Sequence, residues 1–537
     1  MDQDVYDFVI VGAGSAGCVL ANRLSENGKY SVLLLEAGGS DRRLSIQVPM
    51  GYAKTFVDAS VNWMYHAEAD PGVANRALFW PRGKVLGGSS SINAMVYIRG
   101  QREDYDAWAA AGLSGWSYED VLPYFRKSED NTRGADAFHG AGGELAVSDL
   151  GRETHPVIES FFDAAREMGL PLNNDFNGAS QEGVGRYQFN IREGVRASAS
   201  NAFLRKSMGR KNLTIVSKAQ VTALQLEGRR AVGVAFRHGN HIRHVAARKE
   251  IVLAAGAINT PQLLMLSGIG PAEVGSAGLR VQIEMPQVGK NLRDHLYCPY
   301  FFRARRKTLN DSFANPRWLI GAGLRYAVSR RGALGTSVNH AGAFLRTRPD
   351  LDRPNMQFYF MPVSLESKNG GKKIGFHEFS GVTISASPCR PTSVGQLTLR
   401  SGDPFAAPII TPNYLSTQED VDDMLSGVRF IREMVRSKAL ASLIEEEVEP
   451  GPSIRTDAEV IADFRARACT TFHPVGTCRM GQDNSDSVVG ANFKVHGMQG
   501  LRIADASIFP DMISGNTNAA CIMIGEKAAA QILRESL

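Results

Sequence analysis

The chain has 537 residues, more than the about 100 to 200 of a usual single core, so we expect two or more structural units. Its apolar fraction of 43% and charged fraction of 21% are typical of a globular protein and exclude coiled coils, collagen and disordered chains. The net charge of +5 is small and spread along the chain, so nothing indicates nucleic-acid binding.

The cysteine pattern and the first residues of the chain indicate in which cellular compartment the protein works. Six cysteines are scattered without a CxxC pair or histidines at zinc spacing, which argues against disulfides and a metal site. The acidic start, Met1–Asp4, lacks the basic residues of a secretory signal, and no apolar run reaches about 18 residues. We expect a cytoplasmic protein without a spanning helix, for which peripheral contact with the inner membrane stays open.

A complete βαβ unit opens the chain. The apolar run Asp7–Val11 predicts a buried strand, and Cys18–Leu24 has apolar residues at helical spacing. A second apolar run, Ser31–Glu36, predicts the next strand and ends in an acid. These elements together are typical of a nucleotide-binding fold.

The glycine loop inside this unit has the GxGxxG spacing, with Gly12, Gly14 and Gly17. The first glycine permits a tight turn, the second lets the backbone approach a pyrophosphate, and the third allows close packing of helix and strand. Glu36 stands 19 residues after Gly17, where an acid can accept hydrogen bonds from a ribose. Glycine loops also form plain turns, but the flanking strand, helix and acid favour dinucleotide binding.

Later segments predict the rest of the fold. The run Glu250–Ala255 predicts a strand, and a helix follows near Thr260 with Pro261 in its first turn. Leu501–Asp505 predicts another strand and Asn518–Arg534 a final helix. Residues 299–411 alternate apolar and polar residues between turns, which is typical of an antiparallel sheet.

Three further motifs are candidates for chemistry. Residues 82–93 are rich in glycine and serine and precede the apolar run Ala94–Ile98, which favours contact with a flat cofactor over a flexible loop. His473 stands between phenylalanine and proline, which excludes a regular helix and fixes its ring in a loop. Ser514–Asn518 precedes the last helix and is either an ordinary cap or a polar site.

With these motifs the chain resembles the glucose-methanol-choline (GMC) oxidoreductases, FAD-dependent alcohol oxidases and dehydrogenases. The likeness runs from Tyr6 to about Leu533 and includes residues 82–98, Gly256–Gly270, the HPxGT loop and the terminal Asn-Thr-Asn. It is strongest to the bacterial branch with choline dehydrogenase and alcohol dehydrogenases.

The resemblance implies an α/β fold, with a Rossmann-type FAD-binding domain and a second, mostly antiparallel-sheet, substrate-binding domain. We expect the FAD-binding domain in residues 1–298, with insertions that belong to the other domain. The core of the substrate-binding domain should span residues 299–411, and residues 412–537 should return to the FAD domain with the catalytic residues.

The resemblance also implies roles for particular residues. His473 is the expected base, of near-neutral pKa, and Asn516 its partner, which would stabilise the alkoxide. The expected contacts of FAD, and no metal ligands, are Gly12, Gly14, Ser15 and Gly17 at the diphosphate, Glu36 at the ribose, Gly88, Ser90, Asn93, Ala94 and Val96 along the flavin and ribityl chain, Val221 at the adenine, and Asp505, Ala506, Thr517 and Asn518 at the ribityl and pyrimidine side.

Two departures from the family pattern sharpen the prediction. Ile92 fills the position at which some members attach FAD through histidine, so we expect non-covalent FAD. His340 stands where choline-specific members have glutamate, which favours a neutral primary alcohol, oxidised to its aldehyde, over choline.

Several alternatives stay open. Choline dehydrogenase-type activity is one, and an alcohol oxidase is another, because the electron acceptor can be O₂ or a quinone. An NAD-dependent dehydrogenase is less favoured, since it leaves residues 82–93 and the HPxGT loop unexplained. A non-enzymatic flavoprotein and a lyase with structural FAD are also less favoured, and bleaching of the flavin by an alcohol would exclude both. The motifs do not indicate which alcohol is the substrate or how many subunits assemble.

Overall fold

Two seven-stranded sheets organise the computed structural model, which describes residues 4–368 and 373–536. In the first sheet five strands pair in parallel and an antiparallel pair extends one edge. In chain order its strands are Asp4–Val11, Val32–Glu36, Leu213–Ser217, Ala219–Glu227, Arg230–His238, His241–Leu253 and Leu501–Ile503.

The centre of this first sheet is apolar on both faces. Strand Asp4–Val11 pairs in parallel with Val32–Glu36 on one side and His241–Leu253 on the other. Phe8 and its three following residues are buried, as a strand covered by helices on both faces requires. The predicted strands and the helix between them, Ser15–Ser25, are therefore confirmed.

The helix after the strand His241–Leu253 starts earlier than the sequence indicates. It spans Gly256–Leu266, so the prediction that Pro261 stands in the first turn was wrong. Proline cannot donate the backbone hydrogen bond to Ala257, four residues before it. The Ala257 carbonyl instead accepts from the Thr477 hydroxyl at 2.6 Å, which joins the HPxGT loop to this helix.

The second sheet is antiparallel throughout, as the alternating pattern predicts. Four of its strands lie outside residues 299–411 or extend beyond them. The predicted domain limits therefore stay a prediction. In chain order the strands are Gly183–Arg186, Leu296–Ala304, Ala341–Leu345, Met356–Met361, Gly381–Pro388, Ile444–Glu449 and Cys469–Thr470.

The two faces of the second sheet have different neighbours. Helix Gln418–Met434 covers one face, where the rings of Phe358 and Phe430 lie 5.3 Å apart. Because side chains alternate along a strand, Tyr359 points to the opposite face, which borders a cavity. The second sheet therefore supplies one wall of that cavity.

Shorter elements connect the two sheets. Among the described residues no helix is both long and apolar enough to cross a bilayer. The remaining strands are Tyr65–His66, Phe79–Trp80, Val96–Tyr97, Glu129–Asn131, Leu145–Val147, Gln188–Phe189, Ile191–Arg192, Val195–Arg196, Ile269–Gly270, Ile283–Glu284, Leu365–Lys368, Lys373–Phe376, Gln396–Thr398 and Ile409–Thr411. The other α-helices are Leu44–Gln47, Tyr52–Thr55, Arg102–Ala110, Tyr118–Ser128, Glu159–Glu167, Arg205–Ser207, Leu309–Ala314, Pro316–Ser329, Lys438–Leu443, Asp457–Arg467 and Asn518–Glu535.

Candidate active site

A cavity of about 400 Å³ lies between the two sheets. Its wall contains both candidate catalytic residues, His473 and Asn516. It also contains the residues predicted to contact FAD, with the exception of Gly17: Gly12, Gly14, Ser15, Glu36, Gly88, Ser90, Asn93, Ala94, Val96, Val221, Asp505, Ala506, Thr517 and Asn518.

Gly17 lies behind the glycine loop and not on the wall. A Cβ at this position would stand 1.9 Å from the carbonyl oxygen of Gly12, so no larger residue fits. Gly17 therefore lets the helix Ser15–Ser25 pack closely on the loop, which is the role of the third glycine in the motif.

Two other glycines shape the wall itself. Gly12 has a φ of +100°, and a Cβ there would lie 2.6 Å from the Ala254 carbonyl oxygen. Gly88 has a φ of +54°, and its Cβ would lie 2.7 Å from the Cα of Gly14. The two loops thus touch through bare backbone, and this backbone lines the cavity.

Glu36 is fixed at the end of its strand. Its carboxylate accepts hydrogen bonds from the backbone N–H groups of Ala13, at 2.9 Å, and Gly38, at 2.7 Å. Burial raises the pKa of Glu36 to about 7, although these two donors oppose the shift. An acceptor is therefore held beside the glycine loop.

Two helices begin at the cavity and are joined there. The Ser15 hydroxyl donates to Oδ1 of Asn518 at 2.7 Å, and these residues open the helices Ser15–Ser25 and Asn518–Glu535. A helix N-terminus has unpaired N–H groups and a positive dipole end, both of which stabilise an anion such as a diphosphate.

A buried arginine that the motifs do not reveal positions the glycine-serine loop. Nη1 of Arg196 donates to the carbonyl oxygen of Ser90, at 3.2 Å, and to that of Asn93, at 2.7 Å. Burial lowers the pKa of Arg196 to about 9. Its partners lie more than 100 residues away in sequence, at separations of 106 and 103, so no local pattern could have indicated it.

The loop that carries His473 is anchored by a buried acid. Asp294 accepts from the His473 backbone N–H at 2.7 Å and from the hydroxyls of Thr470 and Tyr414. Burial raises its pKa to about 6, against these donors. Phe472, just before the histidine, has a φ of +67°, a strained value for this residue type that the anchor maintains.

A second histidine determines which nitrogen of His473 carries the proton. Nε2 of His295 lies 2.8 Å from the Cys389 carbonyl oxygen, which can only accept, so this nitrogen is the protonated one. Burial lowers the pKa of His295 to about 4, so the ring is neutral at pH 7 and its Nδ1 is an acceptor. Nδ1 of His473 lies 3.0 Å away and must donate.

The hydroxyl of Thr471 agrees with this assignment. It donates to the His295 carbonyl at 3.1 Å, so its oxygen can accept from Nδ1 of His473 at 3.0 Å. Nε2 of His473 is then unprotonated and faces the amide of Asn516, whose Nδ2 lies 3.2 Å away. Asp294 and His295 stand together at the start of the strand Leu296–Ala304, and this adjacent pair of titratable residues is a signal that sequence reasoning missed.

The pKa of His473 differs from the sequence prediction. It lies well below its ordinary value, chiefly because the ring is desolvated and also because His295 and Arg82 are close. The expected near-neutral pKa was therefore wrong. His473 is neutral at pH 7 and can accept a proton from a group in the cavity.

A residue of the second sheet orients the amide of Asn516 through its oxygen. Its Oδ1 accepts from Nε2 of Gln357 at 3.4 Å, and the same nitrogen lies 3.2 Å from the hydroxyl oxygen of Tyr187. Gln357 lies on the second sheet, so this sheet helps to direct the Asn516 amide toward His473.

The rest of the wall is mostly aromatic and apolar. Among the described residues that line it, the acids are Glu36 and Asp505. Asp505 accepts from the Gly256 backbone N–H and the Thr260 hydroxyl, so both acids are tied to the first sheet. The side chains that surround the remaining space are Tyr52, Phe56, Tyr297, Val338, Asn339, Tyr359, Met361, Leu365 and Phe472.

His340 does not lie on this wall. It is buried elsewhere, and its Nδ1 accepts from the His155 backbone N–H at 3.0 Å. Its neighbour Asn339 lines the cavity instead. The prediction that His340 is a pocket residue was therefore wrong.

These features fit the FAD that the resemblance implies. The contact of Gly12, Gly14 and Gly88 leaves a backbone cradle, and two helix N-termini open onto it. Glu36 supplies an acceptor on the same wall.

Comparisons with known proteins agree with the family resemblance that the sequence motifs indicate. Family models described as GMC oxidoreductase match residues 6–297 and 391–525. The chain is 44% identical over 537 residues to an alcohol dehydrogenase (acceptor) of Pseudomonas putida, with 99% of this chain and 96% of the relative covered. It is 42% identical over 536 residues to the mitochondrial choline dehydrogenase of Homo sapiens, with 98% and 89% covered.

A solved FAD-dependent oxidoreductase from Chaetomium thermophilum superposes with a TM-score of 0.89, at 27% identity and with 99% of each chain covered. The predicted fold class and cofactor are confirmed. The chain therefore belongs to the GMC oxidoreductase family and is an FAD-dependent alcohol oxidoreductase.

Proposed function

We propose that the chain oxidises a neutral primary alcohol to the aldehyde, with His473 as the base and Asn516 as its partner. One observation carries the proposal: the unprotonated Nε2 of His473 faces the cavity beside the Asn516 amide, at 3.2 Å. A base and a neutral hydrogen-bond donor at one point are what removal of a hydroxyl proton needs.

The reaction separates a proton from a hydride. Nε2 of His473 takes the hydroxyl proton, while the amide of Asn516 donates a hydrogen bond to the oxygen on which negative charge develops. Bound FAD would supply the acceptor for the hydride that leaves the carbon bearing this oxygen. Loss of one proton and one hydride converts the primary alcohol to the aldehyde.

We propose non-covalent FAD. Its diphosphate would lie against the glycine loop and the two helix N-termini, its ribose at Glu36 and its adenine at the backbone of Val221. Ile92 lines the cavity, and its side chain has no atom that could bond to the flavin. Denaturation in acid should release all of the flavin into the supernatant, whereas flavin that stayed with the pellet would contradict the proposal.

The preference for a neutral alcohol rests on the side chains around His473. A cation there meets aromatic faces, worth about 0.5 to 2 kcal/mol each, but no carboxylate of the second sheet. A neutral alcohol has less hydration to lose and gains the same apolar contacts.

Choline and 3,3-dimethylbutan-1-ol test this preference directly. They have the same shape and differ in the charge of one atom. We expect faster flavin reduction per unit concentration with the neutral alcohol at the same pH. A tenfold preference for choline would overturn the proposal.

Choline oxidation is the second candidate because of the aromatic residues themselves. Tyr52, Phe56, Tyr297 and Tyr359 could surround a trimethylammonium group in the manner of an aromatic cage. The human relative is named a choline dehydrogenase. The same pair of substrates decides between the two candidates.

The electron acceptor would be O₂ or a quinone. Parallel assays with O₂ and with a soluble quinone would distinguish an oxidase from a dehydrogenase. The Pseudomonas putida relative is named for an acceptor, which favours the dehydrogenase.

A further inference from the structure

One helix of the protein presents its apolar side chains to the outside. Helix Pro316–Ser329 has Ile320, Leu324 and Val328 exposed by 66%, 64% and 88%. These residues are four apart and therefore form one stripe along the helix. In a surface helix of a globular protein such a stripe would face the core.

The opposite side of this helix is the one that the protein uses for packing. Tyr326 is buried, and its hydroxyl donates to the Gly194 carbonyl at 2.9 Å. Trp318 packs edge-on against Phe313, with ring centroids 5.7 Å apart. The helix is thus held in place with the apolar stripe turned outward.

The residues at the start of this helix favour helix formation without any contribution from the apolar stripe. The Asn315 side chain accepts from the backbone N–H groups of Arg317 and Trp318, and Pro316 occupies the first turn. Both features are strong helix starts. The exposed apolar residues are therefore not needed to define the helix, and their exposure requires another explanation.

The charged residues that this segment itself carries are all basic. Arg317, Arg325, Arg330 and Arg331 are exposed at or near the helix, and the sequence has no acid from Ser312 to Pro349. Arg325 pairs with Glu153 of a neighbouring segment, at 2.7 Å. An apolar stripe flanked by arginines matches the apolar interior and anionic headgroups of a lipid bilayer.

Apolar packing also connects the helix to residues of the cavity wall. Phe313, against which Trp318 packs, belongs to the same apolar cluster as Leu365 and Val338, which line the cavity. The segment after the helix leads within ten residues to the wall residues Val338 and Asn339. The helix is therefore linked through packed side chains to the wall of the active-site cavity.

We propose that helix Pro316–Ser329 docks in the plane of an anionic lipid bilayer, with Ile320, Leu324 and Val328 inserted among the acyl chains. Its 14 residues are too few to span the about 30 Å of hydrocarbon, so it lies on the surface. This docking is separate from the alcohol chemistry, and either can fail without the other.

Sedimentation with vesicles tests the proposal on the FAD-loaded enzyme. Wild type should bind vesicles with about 30% phosphatidylglycerol in phosphatidylcholine at least tenfold more tightly than pure phosphatidylcholine vesicles. The double variant Ile320→Glu/Leu324→Glu should lose at least tenfold of that binding. A matched control is Ile242→Glu/Leu172→Glu, which changes the same residue types at other exposed positions and should bind as wild type does.

Two further readouts keep the interpretation unambiguous. All variants should oxidise a water-soluble alcohol at the wild-type rate with a soluble acceptor, because none of these residues lines the cavity. Wild type that binds neither vesicle, or a double variant that binds as wild type, would overturn the proposal. So would a wild-type dimer that the double variant converts to a monomer, since the stripe would then be an interface between two copies.

Discussion

The two walls of the cavity differ in how they are built. The wall from the first sheet consists of backbone at glycines and helix N-termini, with Glu36 as its main side chain. The wall from the second sheet consists of side chains, chiefly Tyr359 and Met361 with Gln357 behind them. His473 and Asn516 lie where the two walls meet.

This difference corresponds to two kinds of recognition, that of the cofactor by the first wall and that of the substrate by the second. A diphosphate is recognised by peptide N–H groups, and only glycine lets the backbone come close enough to it. The glycines of the first wall therefore stand at fixed spacings in the sequence. A substrate is recognised by the shape and charge of side chains, which many sequences can supply. Changes in the first wall should therefore affect cofactor binding, and changes in the second wall should affect substrate choice. Changes where the two walls meet should affect the rate of the reaction.

The largest effect should follow from a change at the junction. His473→Ala removes the base, and we expect flavin reduction by alcohol to slow by about 10²-fold or more while FAD stays bound. Stopped-flow absorbance of the flavin measures this rate. His241→Ala, at an exposed histidine, is the control. A His473→Ala enzyme that is reduced at the wild-type rate would refute the assignment.

The next effect concerns the first wall alone. Glu36→Ala leaves the buried N–H groups of Ala13 and Gly38 without their acceptor, at a cost of about 1 to 3 kcal/mol each. We expect FAD affinity to fall by about tenfold or more, while the fraction still loaded turns over normally. Titration of apoenzyme with FAD measures it, with Glu227→Ala as an exposed control. A fully loaded but slow variant would contradict the separation of the two walls.

A smaller effect should come from the residue that fixes the tautomer of His473. His295→Leu removes the acceptor of the Nδ1 proton, and the loss of one hydrogen bond should slow flavin reduction on the order of tenfold. His295→Gln, which can still accept, should recover most of this rate.

The pH profile separates this positioning role from a merely structural one. His473 works in its unprotonated form, so the rate falls when the pH falls through its pKa. In wild type that pKa lies well below about 6.5, and flavin reduction should stay constant down to pH 6. Since His295 helps to lower the pKa, both His295 variants should move the acid limb to higher pH. An unmoved limb would rule out this coupling.

The smallest effect should appear in the second wall. Asn339→Glu places a carboxylate on the cavity wall, where a partly exposed ion pair is worth up to about 1 kcal/mol. The preference for choline over 3,3-dimethylbutan-1-ol should rise by about threefold, with Asn339→Gln as the uncharged control. An equal rise in both variants would show that size and not charge was responsible.

Several features of the fold and of the candidate site could be predicted from the sequence. Asp7–Val11 with Gly12, Gly14 and Gly17 predicted the nucleotide-binding unit, because a buried parallel strand and a diphosphate loop each impose a local pattern. The loop with His473 was identified for a similar reason, since phenylalanine and proline beside it exclude a helix. Such features depend on neighbours in the chain.

Only the tertiary structure decided the rest. Arg196, His295 and Gln357 contact partners 103 to 178 residues away, and no local pattern connects them. The pKa of His473 depends on how far the folded protein removes its ring from water, which a sequence does not express. Pro261 stands inside a helix because Thr477, far along the chain, satisfies the carbonyl that proline leaves free. Sequence thus determined what depends on neighbouring residues, while the network around the base depends on the side chains that folding brings together.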